Sequence, residues 1–103
     1  MSQFADVPGN PIWKKIEVVG RNDTTQTVLY LLEWDHPINS DTFDLDHYEV
    51  VTENESVIIA PNQQHVIVRN IISGTSAQIT ISAISRCGER SSTKQTFVEG
   101  IYQ

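Results

Sequence analysis

The 103 residues contain one cysteine, Cys87, so no disulfide can close within the chain. No run of about 18 apolar residues is present, which excludes a membrane-spanning helix. Basic residues are few: seven face 13 acids, for a net charge of -6. Nucleic acid and anionic membrane both demand a basic footprint, so neither is expected as a partner. The opening stretch MSQFADVPGNP lacks the charged start and apolar core of a signal peptide. The chain is therefore expected to be cytoplasmic as written, or a fragment of a longer protein carrying an added Met1. Repeats, heptads and low-complexity tracts are missing, and helical periodicity is hard to find anywhere.

What is present is the make-up of one ordinary globular domain. The hydrophobic fraction of 39% and the charged fraction of 19% separate the chain from disordered sequences. A domain of this length can bury roughly two-thirds of its unfolded surface, so a core without covalent staples is feasible.

Short β-rich runs alternate with clusters of Gly, Pro, Asn, Asp and Ser, the pattern of an all-β fold. After a loose start at Pro8, Gly9 and Pro11, WKKIEVVG reads as a first strand and TVLYLLEW as the second and strongest. Val28, Tyr30, Leu32 and Trp34 form one wholly apolar face of that second strand, because side chains alternate with period two. The long loop DHPINSDTFD precedes LDHYEVVTE; SVIIA, HVIVRNI, AQITISAIS and TKQTFV supply the remaining strands. Seven strands of this kind predict a two-layer antiparallel β-sandwich, a three-stranded sheet packed on a four-stranded one. Residues 8–100 are read as the domain, with 1–7 as a flexible leader and 101–103 as a tail.

The order of residues resembles the fibronectin type III family over most of the chain, from Pro8 to Val98. Trp34 fits the tryptophan that ends the family's second strand, and Tyr48-Glu49-Val50 fits its third-strand motif. Ile71 stands for the leucine before a Gly-Thr turn, here Gly74-Thr75. ITISAIS with Gly88 matches the sixth strand and its loop. One position departs: the family places a tyrosine two residues after the Gly-Thr, and this chain has Ala77. The lost ring and hydroxyl amount to roughly 2–4 kcal/mol, which Ile72, Tyr30 or Trp13 is expected to offset by packing into the gap. Immunoglobulin domains are set apart by their paired cysteines and third-strand tryptophan, where this chain has Tyr48. The cytokine-receptor variant is set apart by paired cysteines and a Trp-Ser repeat, both missing here.

No catalytic constellation is visible, and the chain is not expected to be an enzyme or to hold a cofactor. His36, His47 and His65 lack the spacing of a metal site. Asp41, Asp44 and Asp46 lack the D-x-D-x-D-G order and closing Glu of a calcium loop, so a solvated loop is the simpler reading. Cys87 leaves three readings open: a small, partly buried strand-end residue, an intermolecular disulfide, or a reactive thiol near Arg86 and Arg90.

Outward-facing side chains carry more information. If Val28, Tyr30, Leu32 and Trp34 face the core, Leu29 and Leu31 face away from it. The resemblance places strands one, two and five in one sheet, so Val19 and Ile67 join them in an apolar outer patch of interface size. The same topology puts the loops after strands two and six at one pole, displaying Asp35, Asp41 and Asp44 beside Arg86, Glu89 and Arg90. Loops held on a rigid sandwich are favoured binding positions. Sequons at Asn22 and Asn54 fall at the other pole and mark candidate N-glycosylation sites. The expectation is a non-catalytic interaction or spacer module that contacts a protein partner or neighbouring domains and self-associates weakly. Its setting would be a cell-surface receptor or adhesion protein, an extracellular fragment. The alternative is an accessory domain of an intracellular or bacterial protein, one joined to an enzyme included.

Overall fold

The second strand sets the architecture. In the computed structural model, which describes residues 8–37, 44–99 and 101–102, β2 (Thr27–Asp35) alternates without a break: Val28, Tyr30, Leu32 and Trp34 are buried and Leu29, Leu31 and Glu33 are half-covered. β2 lies between β1 (Ile12–Asn22) and β5 (His65–Ile72), giving a three-stranded antiparallel sheet in the order β1-β2-β5. The second sheet runs β4-β3-β6-β7 through β3 (Leu45–Val51), β4 (Ser56–Ile59), β6 (Ala77–Ser85) and β7 (Arg90–Val98). A two-residue β8 (Ile101–Tyr102) folds back on β7, so part of the expected tail is paired.

The layers meet through aromatic rings set edge to face. Trp34 and Tyr48 stand 5.4 Å apart at 69°, and Tyr30 and Phe97 stand 4.8 Å apart at 75°. Such pairs contribute about 0.5–1.5 kcal/mol beyond the area they bury. Ile79, Ile81 and Ala83 of β6 complete the core, as the alternation of that strand predicts. The fold is thus an all-β sandwich, as the sequence reads.

Several details differ from expectation. The last strand begins at Arg90 rather than Thr93, because the β6–β7 register runs without interruption from Ala77↔Phe97 to Ile84↔Arg90. β1 shifts register twice, between Trp13 and Lys15 and between Val18 and Gly20, so Lys14 and Val19 are bulge residues. Ala77 is buried, but Ile72 does not fill the gap beside it: Ile72 is 58% exposed. Trp13 pairs in register with Trp34, at the far end of the sandwich from the Gly74-Thr75 turn. Tyr30 does contribute, by packing on Phe97, the register partner of Ala77. A small recess of about 40 Å³ persists, lined by Glu53, Asn54, Ile71, Ile72, Thr75 and Ala77.

Candidate interaction surfaces

The pole at the ends of β2 and β6 carries the loop residues singled out above. Asp35, Asp44, Arg86, Glu89 and Arg90 are all exposed, and Asp41 lies outside the described residues. Backbone geometry joins two of the loops: the Arg86 amide donates to the Asp44 carbonyl at 2.9 Å. The β6–β7 connection is a tight hairpin. Gly88 N–H donates to the Ser85 carbonyl at 2.9 Å and Glu89 N–H to Ser85 Oγ at 3.1 Å. Gly88 has φ 89°, a left-handed conformation that a Cβ would strain. Cys87 sits on this hairpin and is exposed, which corrects the reading of a partly buried strand-end residue.

Among the described residues, Arg90 pairs with a glutamate rather than with the loop aspartates. Its Nη1 lies 2.6 Å from Glu49 Oε1 on β3, and Ser56 Oγ donates to Glu49 Oε2 at 2.9 Å. Arg90 above all, then Ser56, holds the Glu49 carboxyl below the usual carboxylate range. The ion pair reaches across β6, where Ile84 is buried although it points out of the sandwich. Glu49 is a residue that sequence reasoning missed. Also at this pole, His36 Nδ1 lies 2.5 Å from the hydroxyl of the buried Tyr48. Burial pushes that phenol up to about 12, and the Trp34 indole opposes the shift in part.

A shallow groove of about 490 Å³ opens beside this pole, lined by Lys14, Glu33, Asp35, His65 and the amides Asn62, Gln63 and Gln64 around Trp34. Its loop is tied down by Trp34 N–H to the Gln64 carbonyl, 3.1 Å, and Gln63 N–H to the Ala60 carbonyl, 3.0 Å. Glu33 faces His65 in register, one row above Leu31 and Ile67. The groove therefore runs into the outer face of the β1-β2-β5 sheet. On that face Val19 and Ile67 are 46% and 49% exposed, and Leu29 and Leu31 are half-covered. Leu29 lies beside Gly20, where an added Cβ would stand 3.6 Å from its Cδ1. Ile72, opposite Thr27, extends the apolar stripe beyond the four residues expected.

At the opposite pole, Asn22 Oδ1 accepts the amides of Thr24 and Thr25 at 3.0 and 3.3 Å, an Asx turn. Asn54 Nδ2 is engaged, donating to the Asn70 carbonyl at 2.6 Å. Glu99 closes this end. Its Oε1 accepts Gly74 N–H at 2.6 Å and Ser73 Oγ at 2.9 Å, and its Oε2 lies 2.8 Å from Arg21 Nη2. Those donors, the Gly74 amide first, hold the Glu99 carboxyl below its ordinary range.

Among the described residues, no three His, Cys, Asp or Glu side chains converge as a metal site would require. Comparison of the sequence with protein-family models and with curated proteins gives no match. The fold is similar to part of the spore cortex lytic enzyme SleM of Clostridium perfringens. That likeness has a TM-score of 0.62 and 12% identity over 88% of this chain. It covers 28% of the SleM chain, so this chain spans under a third of the protein it resembles.

Proposed function

We propose that the chain is a non-catalytic interaction or spacer module of fibronectin type III type, one unit of a multidomain protein. One observation carries the reading most of the way: the described residues form a double sheet packed around a mainly apolar core, with its ion pairs on outer faces and poles. A general acid–base or nucleophilic site needs titratable groups within hydrogen-bond reach in a cavity. Here the ion pairs Glu49–Arg90 and Glu99–Arg21 tie strands and turns together instead.

The setting favoured by the sequence pattern is a receptor or adhesion protein. A second setting has a specific observation behind it. The matched segment of SleM is a minor part of a lytic enzyme, which favours an accessory domain attached to a catalytic one. The purified chain should show no turnover of ester, phosphate, peptide or peptidoglycan substrates. Turnover that survives repurification would overturn the module reading.

A further inference from the structure

We propose that the outer face of the β1-β2-β5 sheet is a homotypic contact, the site at which a second copy of this chain docks. The inference rests on the module reading and deepens it by naming the partner.

The face has the anatomy of an interface. Its centre is apolar, with Leu31 and Ile67 in register on adjacent strands, Leu29 and Val19 one row below, and Ile72 at the lower edge. Its rim is charged: Lys14, Lys15, Glu17, Glu33, Asp35 and Arg69. Lys15 and Glu17 pair with each other at 3.7 Å.

Charge selects the occupant. The rim's three bases and three acids cancel, so the chain's other ten acids and four bases carry the whole net charge of -6. Two copies repel wherever that surplus is displayed, and this face displays none of it. Lys14 and Arg69 on one side of the balance, and Glu33 and Asp35 on the other, make no ion pair among the described residues. A surface with both signs unspent around an apolar centre can complement itself, as a two-fold contact requires.

Area sets the strength. Nine residues of β2 at about 3.3 Å each, across three strands about 4.8 Å apart, give roughly 400 Å². That is half of the ~800 Å² per partner in a stable complex, so the contact is weak and reversible.

A dilution series read by amide NMR and sedimentation equilibrium tests this, from about 1 mM to about 0.05 mM. At the top of the range the weight-average mass should exceed the monomer's 11.6 kDa, and the amides of Leu29, Leu31 and Ile67 should move with concentration. Leu31→Glu and Ile67→Glu should each remain monomeric throughout. Ile67 is half exposed, so its variant carries the test should Leu31→Glu impair folding. Ile58→Glu, on the outer side of the other sheet and 63% exposed in the wild type, should associate like the parent. Raising salt to about 0.5 M screens the exposed rim charges, so the apolar centre should still hold the pair together. A monomer at 1 mM, or moving amides confined to β4, β3, β6 and β7, would each overturn the proposal. None of these would touch the module reading, which the substrate panel decides.

Discussion

Gly74 and Glu99 meet across the end of the sandwich: the Glu99 carboxylate accepts the Gly74 amide at 2.6 Å, at the corner where β6 begins with Ala77. The contact fixes the β5–β6 turn to the end of β7. Ser73 adds a hydroxyl to the same oxygen, and Arg21 neutralises the other from β1.

That clasp gives stability a pH dependence of known sign. The folded carboxyl titrates below its ordinary value of 4.5, so its contribution is complete above that value and is lost as pH falls through the lower, folded one. Glu99→Gln keeps the shape but loses the charge. It should lower stability at neutral pH by about 1 kcal/mol, the side chain being partly solvated. Denaturant melts between neutral and strongly acid pH should show the gap between variant and parent narrowing below pH 4.5. A gap that stays constant would refute the clasp.

The recess beside Ala77 invites filling. Ala77→Val adds two methyl groups at a strand position that favours β-branching, and should raise stability by about 1 kcal/mol. Ala77→Tyr asks for more room than about 40 Å³ provides, because Phe97 and Tyr30 already occupy the core beside it. It should cost about 1–3 kcal/mol by overpacking. Calorimetric melting of the pair checks both signs together.

Tyr48 should titrate later than an ordinary tyrosine. Its phenol is buried and pushed up to about 12, while the unfolded chain ionises near 10. The contribution of Tyr48 should therefore be constant below about pH 10 and be lost as pH rises from there towards 12. Tyr48→Phe should remove that loss at a cost of about 1 kcal/mol or less, since exposed His36 can turn to water. Ultraviolet titration of tyrosinate in the folded protein makes the measurement; a Tyr48 signal near 10 would contradict it.

Cys87 on its exposed hairpin should be labelled by a thiol reagent in the native state, without prior unfolding. Cys87→Ser should shift stability by less than about 0.5 kcal/mol, since the side chain lies outside the core. Slow native labelling would show that the hairpin shields the sulfur.

How far the sequence could be read depended on what kind of information each feature needed. The core face of β2 was legible because Val28, Tyr30, Leu32 and Trp34 repeat with the period of a strand. β6 was legible for the same reason. The start of β7 was not: Ser91 and Ser92 look like turn residues, yet Ser92 pairs with Ser82 through their hydroxyls at 2.7 Å. Glu49–Arg90 and Glu99–Gly74 were beyond reach because they join positions 41 and 25 residues apart. Such pairs depend on cross-strand offset, which local patterns do not encode. Ile72 was misplaced on the core side of its strand because Asn70 adopts a left-handed φ of 63° just before it, where the β2–β5 register slips.

The two skipped residues of β1 bear on how copies of this protein can meet. An unbroken outer strand is a template on which another chain can add by hydrogen bonding, strand upon strand, with no natural stopping point. At Lys14 and Val19 the border of β1 falls out of step, and Lys14 and Lys15 place two charges along it. If copies meet through the proposed face, this broken edge would favour pairs that come apart again over strand-by-strand growth along β1.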